Sequence, residues 1–116
     1  MSKQEKPETS FDQFAALDIR VGTVCSASVF EQARQPAYKI EVDFGADIGI
    51  LKTSAQLTHR YLPEDLIGKQ IVGIVNFPKK QIGNFMSEFL ILGAVQGKDV
   101  TLIQPQEQAP NGTSIE

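Results

Sequence analysis

Two lysines, two amides and a phenylalanine crowd one stretch of the chain, Pro78-Lys-Lys-Gln-Ile-Gly-Asn-Phe-Met86. Ammonium groups hold phosphates and exposed aromatic rings stack on unpaired bases, so this mixture suits contact with nucleic acid. A solvated hairpin tip, with lysines that serve only to keep it in water, is the competing reading. The charge distribution bears on the choice. The 116 residues contain 11 Lys+Arg and 14 Asp+Glu, a net charge of -3, yet residues 69–92 carry three lysines against one glutamate, +2. A globally basic nucleic-acid binder is excluded, whereas a local basic patch is not.

Other chemistry finds little support. Cys25 is the only cysteine and His59 the only histidine, which removes disulfide frameworks, Cys-rich zinc sites and most His-based catalysis. The carboxylates Asp43, Asp47, Glu64 and Asp65 sit among turn residues with no His or Cys beside them, and a turn role outweighs metal binding. Asp43-Phe44-Gly45 has the letters of a kinase magnesium motif without the rest of that machinery. No nucleophile elbow, P-loop or dinucleotide turn occurs. The expectation is a binding protein: not an enzyme, with no catalytic residue, no metal and no cofactor.

The elements that must position the basic stretch follow from periodicity. Residues 1–10 have no apolar pattern and read as a flexible tail, leaving a single domain over 11–116. Ser10 with Gln13 forms a capping signal, and Phe11, Phe14 and Leu17 fall on one helical stripe. That stripe packs either on the chain's own core or on a second subunit. From Ile19 the period becomes two through Cys25, with Gly22 marking a bulge or bend. Tyr38–Phe44 is a second strand, 48–53 a third, 54–61 a short helix stopped by Pro63, Gln70–Phe77 a fourth strand, 87–95 a fifth and 99–103 a sixth. Five or six strands with a short helix after the third predict an all-β fold. The pattern suits a five-stranded Greek-key barrel of the OB type, with an immunoglobulin-like sandwich as the alternative. No stretch approaches the roughly 18 apolar residues of a membrane span and the N-terminus is polar, so no membrane insertion and a cytoplasmic location are expected.

Several segments carry a resemblance. Phe14-Ala-Ala-Leu-Asp-Ile-Arg-Val-Gly22, Val75-Asn-Phe77 and Ser87-Glu88 resemble the tRNA-binding OB domain. That domain is found in free-standing tRNA binders and at the C-terminus of bacterial methionyl-tRNA synthetase, where it dimerises. Ala33-Arg-Gln-Pro-Ala37, Asp43-Phe-Gly-Ala-Asp-Ile-Gly49, Ser54-Ala-Gln56 and Pro110-Asn-Gly-Thr113 look like one branch of the family, free-standing members described as chaperones linked to protein export. The resemblance spans residues 11–116.

It implies a homodimeric OB fold whose N-terminal helix and C-terminal extension build the subunit interface, through Phe11, Phe14, Leu17, Pro110 and Ile115. The family's RNA-contacting positions fall on Asn76, Lys80, Gln81 and Ser87. Where the family usually has an adjacent basic pair, this chain has Lys80 and Gln81, and Lys79 supplies a charge one position earlier. Arg34, Lys39 and Lys52 are candidates for further contacts to an RNA backbone. Phe77, Ile82, Phe85 and Met86 give the same region an apolar character suited to polypeptide. The expected function is a homodimeric chaperone that assists export by binding unfolded or precursor polypeptide. A tRNA-binding accessory protein that reads RNA shape is the alternative, and a purely structural dimerisation module is the third reading.

Overall fold

The capping signal works as written. In the computed structural model, which describes residues 4–116, Ser10 Oγ accepts the Gln13 N–H at 3.3 Å and starts α1, Phe11–Ala15. Residues 4–10 are exposed and form no helix or strand, and the first three residues of the expected tail lie outside the described residues.

The barrel is organised around β1, Ile19–Val29. Its first half pairs with β4, Gln70–Ile74, and its second half with β2, Tyr38–Asp43, both antiparallel. A β-bulge interrupts the pairing with β2: Val24 faces Val42 and Ser26 faces Glu41, so Cys25 has no partner. The bend expected at Gly22 therefore falls three residues later. Gly22 has another reason to be glycine, because a Cβ there would sit 2.5 Å from Val42 Cγ1 and 2.8 Å from the Phe44 ring. Beyond β2 lies β3, Ile50–Ala55, and beyond β4 lies β7, Leu90–Ile91, giving the order β3-β2-β1-β4-β7. The edges meet where the Glu88 N–H donates to the Lys52 carbonyl at 2.8 Å and the Thr53 hydroxyl to the Phe89 carbonyl at 2.7 Å. The result is the expected all-β architecture, a nearly closed five-stranded antiparallel barrel of the OB type. A single five-stranded sheet curls around the main core, which excludes the sandwich.

Two hairpins are appended. One is β5–β6, Lys80–Ile82 with Phe85–Ser87, and the other is β8–β9, Gly93–Gln96 with Asp99–Leu102. The single strand expected over 87–95 is thus divided among three elements, and the fourth strand ends at Ile74 rather than Phe77. The helix expected over 54–61 does not form. Ser54 and Ala55 belong to β3, paired with Lys39 and Tyr38, while Pro63 begins α2, Pro63–Leu66. Proline lacks an N–H and has a fixed φ, both of which suit the first position of a helix.

Val24, Ile40, Val42, Phe44, Leu66 and Ile71 fill the barrel, with Phe44 and Phe89 edge to face at 5.0 Å. Burial of each such side chain stabilises by about 1.5–3 kcal/mol. A second cluster, Ile19, Val72 and Ile74, lies apart from this core and is covered by Leu17, Leu92 and Ile115. The polar C-terminal segment is a strap whose hydrogen bonds are spent internally. The Gln70 amide donates to the Ala109 carbonyl at 2.6 Å and accepts from its N–H at 3.0 Å, and the Ile115 N–H donates to the Ile19 carbonyl at 2.8 Å. Gly45 and Gly112, both at positive φ, form a clasp in which added Cβ atoms would meet Asn111 O and Phe44 O at 2.7 and 2.6 Å. Among the described residues, no helix is long and apolar enough to cross a membrane.

Candidate nucleic-acid interface

The polar residues of three strands share one surface beside the β5–β6 hairpin. Ser26 and Ser28 of β1 face Glu41 and Lys39 of β2, and Glu41 in turn faces Lys52 of β3. The hairpin is seated on the barrel by Phe85. Its ring is only 8% exposed and packs against Phe30 at 5.3 Å, within a cluster completed by Ala33, Ala37 and Ile82. Two ammonium groups lie above these rings. Lys39 Nζ is 4.9 Å from the Phe30 centroid and 5.6 Å from that of Phe85, and Lys52 Nζ is 5.3 Å from the Phe85 centroid. Each such contact contributes about 0.5–1 kcal/mol at an exposed site, enough to hold a lysine in place without neutralising it. Between them opens a cavity of about 130 Å³ lined by Ser26, Ser28, Lys39, Glu41, Lys52 and Phe85.

This geometry corrects one expectation. Phe85 is not an exposed contact for bases or polypeptide, because Phe30 just past β1 and Ala37 just before β2 form an apolar seat that the ring fills. Ile82 and Met86 are half-buried with it, and Phe77 alone of the four apolar candidates is well exposed, at 43%. Of the polar candidates, Asn76 and Ser87 have internal partners. Asn76 Oδ1 accepts the Asp18 N–H at 2.9 Å and its Nδ2 donates to the Ala16 carbonyl at 2.8 Å, tying the exit of α1 to the end of β4. The Ser87 and Thr53 hydroxyls are 2.9 Å apart. Gln81 donates to the Gly83 carbonyl at 2.6 Å across the hairpin turn.

The basic candidates differ in their partners. Lys79 Nζ lies 3.4 Å from a Glu88 carboxylate oxygen, whereas Arg34, Lys39, Lys52 and Lys80 form no ion pair among the described residues. Ser26, Ser28, Phe30 and Glu88 escaped the sequence reading as parts of this surface. The signal for them was the alternation after Val24 and the register that sets Glu41 opposite Lys52.

The interface candidates divide as well. Phe11 is 76% exposed and stacks loosely with the exposed Phe14 at 6.1 Å, and Pro110 is exposed. Leu17 and Ile115 pack on the chain's own second cluster. Arg20 braces the strap by donating to the Gly112 carbonyl at 2.9 Å, and the adjacent Asp18 carboxylate raises its pKa further.

Elsewhere, Arg60 grips Asp99 through two hydrogen bonds of 2.8 and 2.6 Å, and His59 Nδ1 stands 3.7 Å from the same carboxylate. The Arg60 hydrogen bond, more than its charge, holds Asp99 below the ordinary carboxylate value. The Cys25 thiol is pushed up, first by desolvation and then by Glu41 and Asp43, which makes it a poor nucleophile. Among the described residues, no group of three His, Cys, Asp or Glu side chains could hold a metal ion.

The family described as a tRNA binding domain matches residues 19–114. A methionine–tRNA ligase of Methanothrix thermoacetophila is 35% identical over 97% of this chain, but the chain spans only 16% of that ligase. Two solved structures match nearly end to end. The chaperone CsaA of Bacillus anthracis is 50% identical with a TM-score of 0.91, over 95% of this chain and all of that one. The CsaA chaperone protein of Picrophilus torridus is 42% identical with a TM-score of 0.88, over 94% and 100%. The chain belongs to the tRNA-binding domain family, on an OB barrel like that of the CsaA chaperones.

Proposed function

We propose that the protein is a homodimeric chaperone of the CsaA type that holds unfolded polypeptide for export in the cytoplasm. Binding, not catalysis, is its work. The observation that carries this reading is the uncovered apolar surface at one end of the barrel. Phe11, Phe14 and Phe77 are all exposed, and the two Asn76 hydrogen bonds bring Phe77 beside the exit of α1. A second subunit docking on α1 covers Phe11 and Phe14 and leaves Phe77 at the rim for an apolar polypeptide segment. The near end-to-end likeness to two CsaA chaperones supports the same reading. The test is light scattering of a chemically unfolded client diluted into buffer. Wild type suppresses aggregation, Phe77→Ala loses most of the effect, and Lys79→Ala with Lys80→Ala keeps it. Suppression by the Phe77 variant equal to wild type refutes the site.

The groove under Lys39 and Lys52 favours a second ligand, tRNA. Its cations stand free above a ring they cover, which suits phosphates and leaves no aromatic face open for base stacking. RNA held in this way is read by the spacing of its backbone. Replacing Lys39 and Lys52 together by Ala lowers the magnitude of the salt slope of tRNA binding by about 1.4–1.8, and an unchanged slope removes this reading.

A further inference from the structure

Glu88 stands where an incoming phosphate would have to bind if Lys79 were a contact. Its Oε2 is 3.4 Å from Lys79 Nζ, and its Oε1 accepts the Lys52 backbone N–H at 3.0 Å. Its own N–H donates to the Lys52 carbonyl at 2.8 Å. The carboxylate is therefore fastened to the barrel seam from below, with its side chain 20% exposed, while Lys79 reaches in from solvent at 63%. A free glutamate would swing aside when a polyanion arrived. One anchored to β3 through both backbone groups of Lys52 cannot.

We infer that Glu88 acts as a built-in phosphate mimic that silences Lys79 toward RNA, leaving Lys80 as the hairpin's effective cation. The inference rests on the RNA reading of the basic groove. Exposed ion pairs are weak in themselves, so the effect is not one of stability. It lies in the long-range sum: a phosphate approaching Lys79 meets an ammonium and a carboxylate side by side, and their fields cancel beyond a few ångströms. Glu88 is in this sense a positioning and specificity residue that limits affinity for polyanions.

Glu88→Gln keeps an amide oxygen for the Lys52 N–H and removes only the charge, so it isolates the inference from barrel closure. The experiment is binding of unfractionated bacterial tRNA by wild type, Glu88→Gln, Lys79→Ala, the Glu88→Gln/Lys79→Ala pair and Lys80→Ala, each between 50 and 200 mM salt. Glu88→Gln binds more tightly at low salt, and its slope is steeper by about 0.7–0.9, one extra phosphate contact. Its advantage over wild type shrinks about threefold across that salt range. Lys79→Ala leaves the wild-type slope nearly unchanged but abolishes the gain in the Glu88→Gln background. If Lys79→Ala alone flattens the slope by a full contact, or Glu88→Gln has the wild-type slope, Glu88 silences nothing. A Lys80→Ala variant that binds like wild type also overturns the inference, since Lys80 is then not the hairpin's effective cation. Failure of the RNA reading looks different, with no tRNA retained by wild type at 50 mM salt. The inference falls with that reading.

Discussion

Replacing Phe85 by alanine separates the buried ring of the structure from the exposed ring that the sequence suggested. The side chain is 8% exposed and packs on Phe30 at 5.3 Å, with Ala33, Ala37 and Ile82 around it and two lysine ammoniums above. Truncating a buried phenylalanine costs about 3–5 kcal/mol, to which the lost aromatic pair contributes about 0.5–1.5 kcal/mol. The site lies under a short hairpin of two three-residue strands that can settle into part of the space, so the low end applies, about 3 kcal/mol. For a domain of this size that lowers the melting temperature by ~10 °C. Urea unfolding of wild type and Phe85→Ala at one protein concentration measures it, which holds any effect of self-association fixed. Phe85→Leu fills much of the seat and loses about 1–1.5 kcal/mol. A loss below about 0.5 kcal/mol for Phe85→Ala is what a surface residue gives and refutes the buried seat.

Asp99 supplies a pH-dependent contribution. Its folded pKa is depressed, chiefly by the Arg60 hydrogen bond, so its stabilisation is present above the unfolded value near 4 and is lost as pH falls through the folded value. Asp99→Asn therefore unfolds at lower urea than wild type at pH 7, and the gap narrows as pH falls below the unfolded carboxylate value; a gap independent of pH contradicts the pairing. Phe11→Ser with Phe14→Ser leaves the barrel intact, because both rings are exposed, but shifts sedimentation toward monomer. A dimer as tight as wild type moves the interface elsewhere.

Most of the barrel was legible because its strands are half-buried and alternate, as Tyr38, Ile40 and Val42 do against Lys39 and Glu41. Local chemistry also carried the Ser10 cap. What could not be read depended on contacts between distant segments. Ser54 and Ala55 have a helical look until β2 claims them, and Pro63 stops or starts a helix according to which side the chain folds. Phe85 lies 55 positions from Phe30, so nothing local announces that the one buries the other. Asn76 and Ser87 were expected as RNA contacts, and nothing local announced that their polar groups join elements of the barrel. The basic surface was half legible. Its lysines were visible in the composition, while the one held by Glu88 and the two held over aromatic rings became distinct only in three dimensions.

The central claim is that the protein holds unfolded polypeptide. Fluorescence anisotropy of a labelled, permanently unfolded polypeptide, titrated with ribonuclease-treated protein, tests it most directly. Saturable binding that survives the ribonuclease treatment and is lost in Phe77→Ala is the predicted result. No polypeptide binding by a preparation that still retains added tRNA once the nuclease is removed contradicts the claim and leaves the RNA reading in its place.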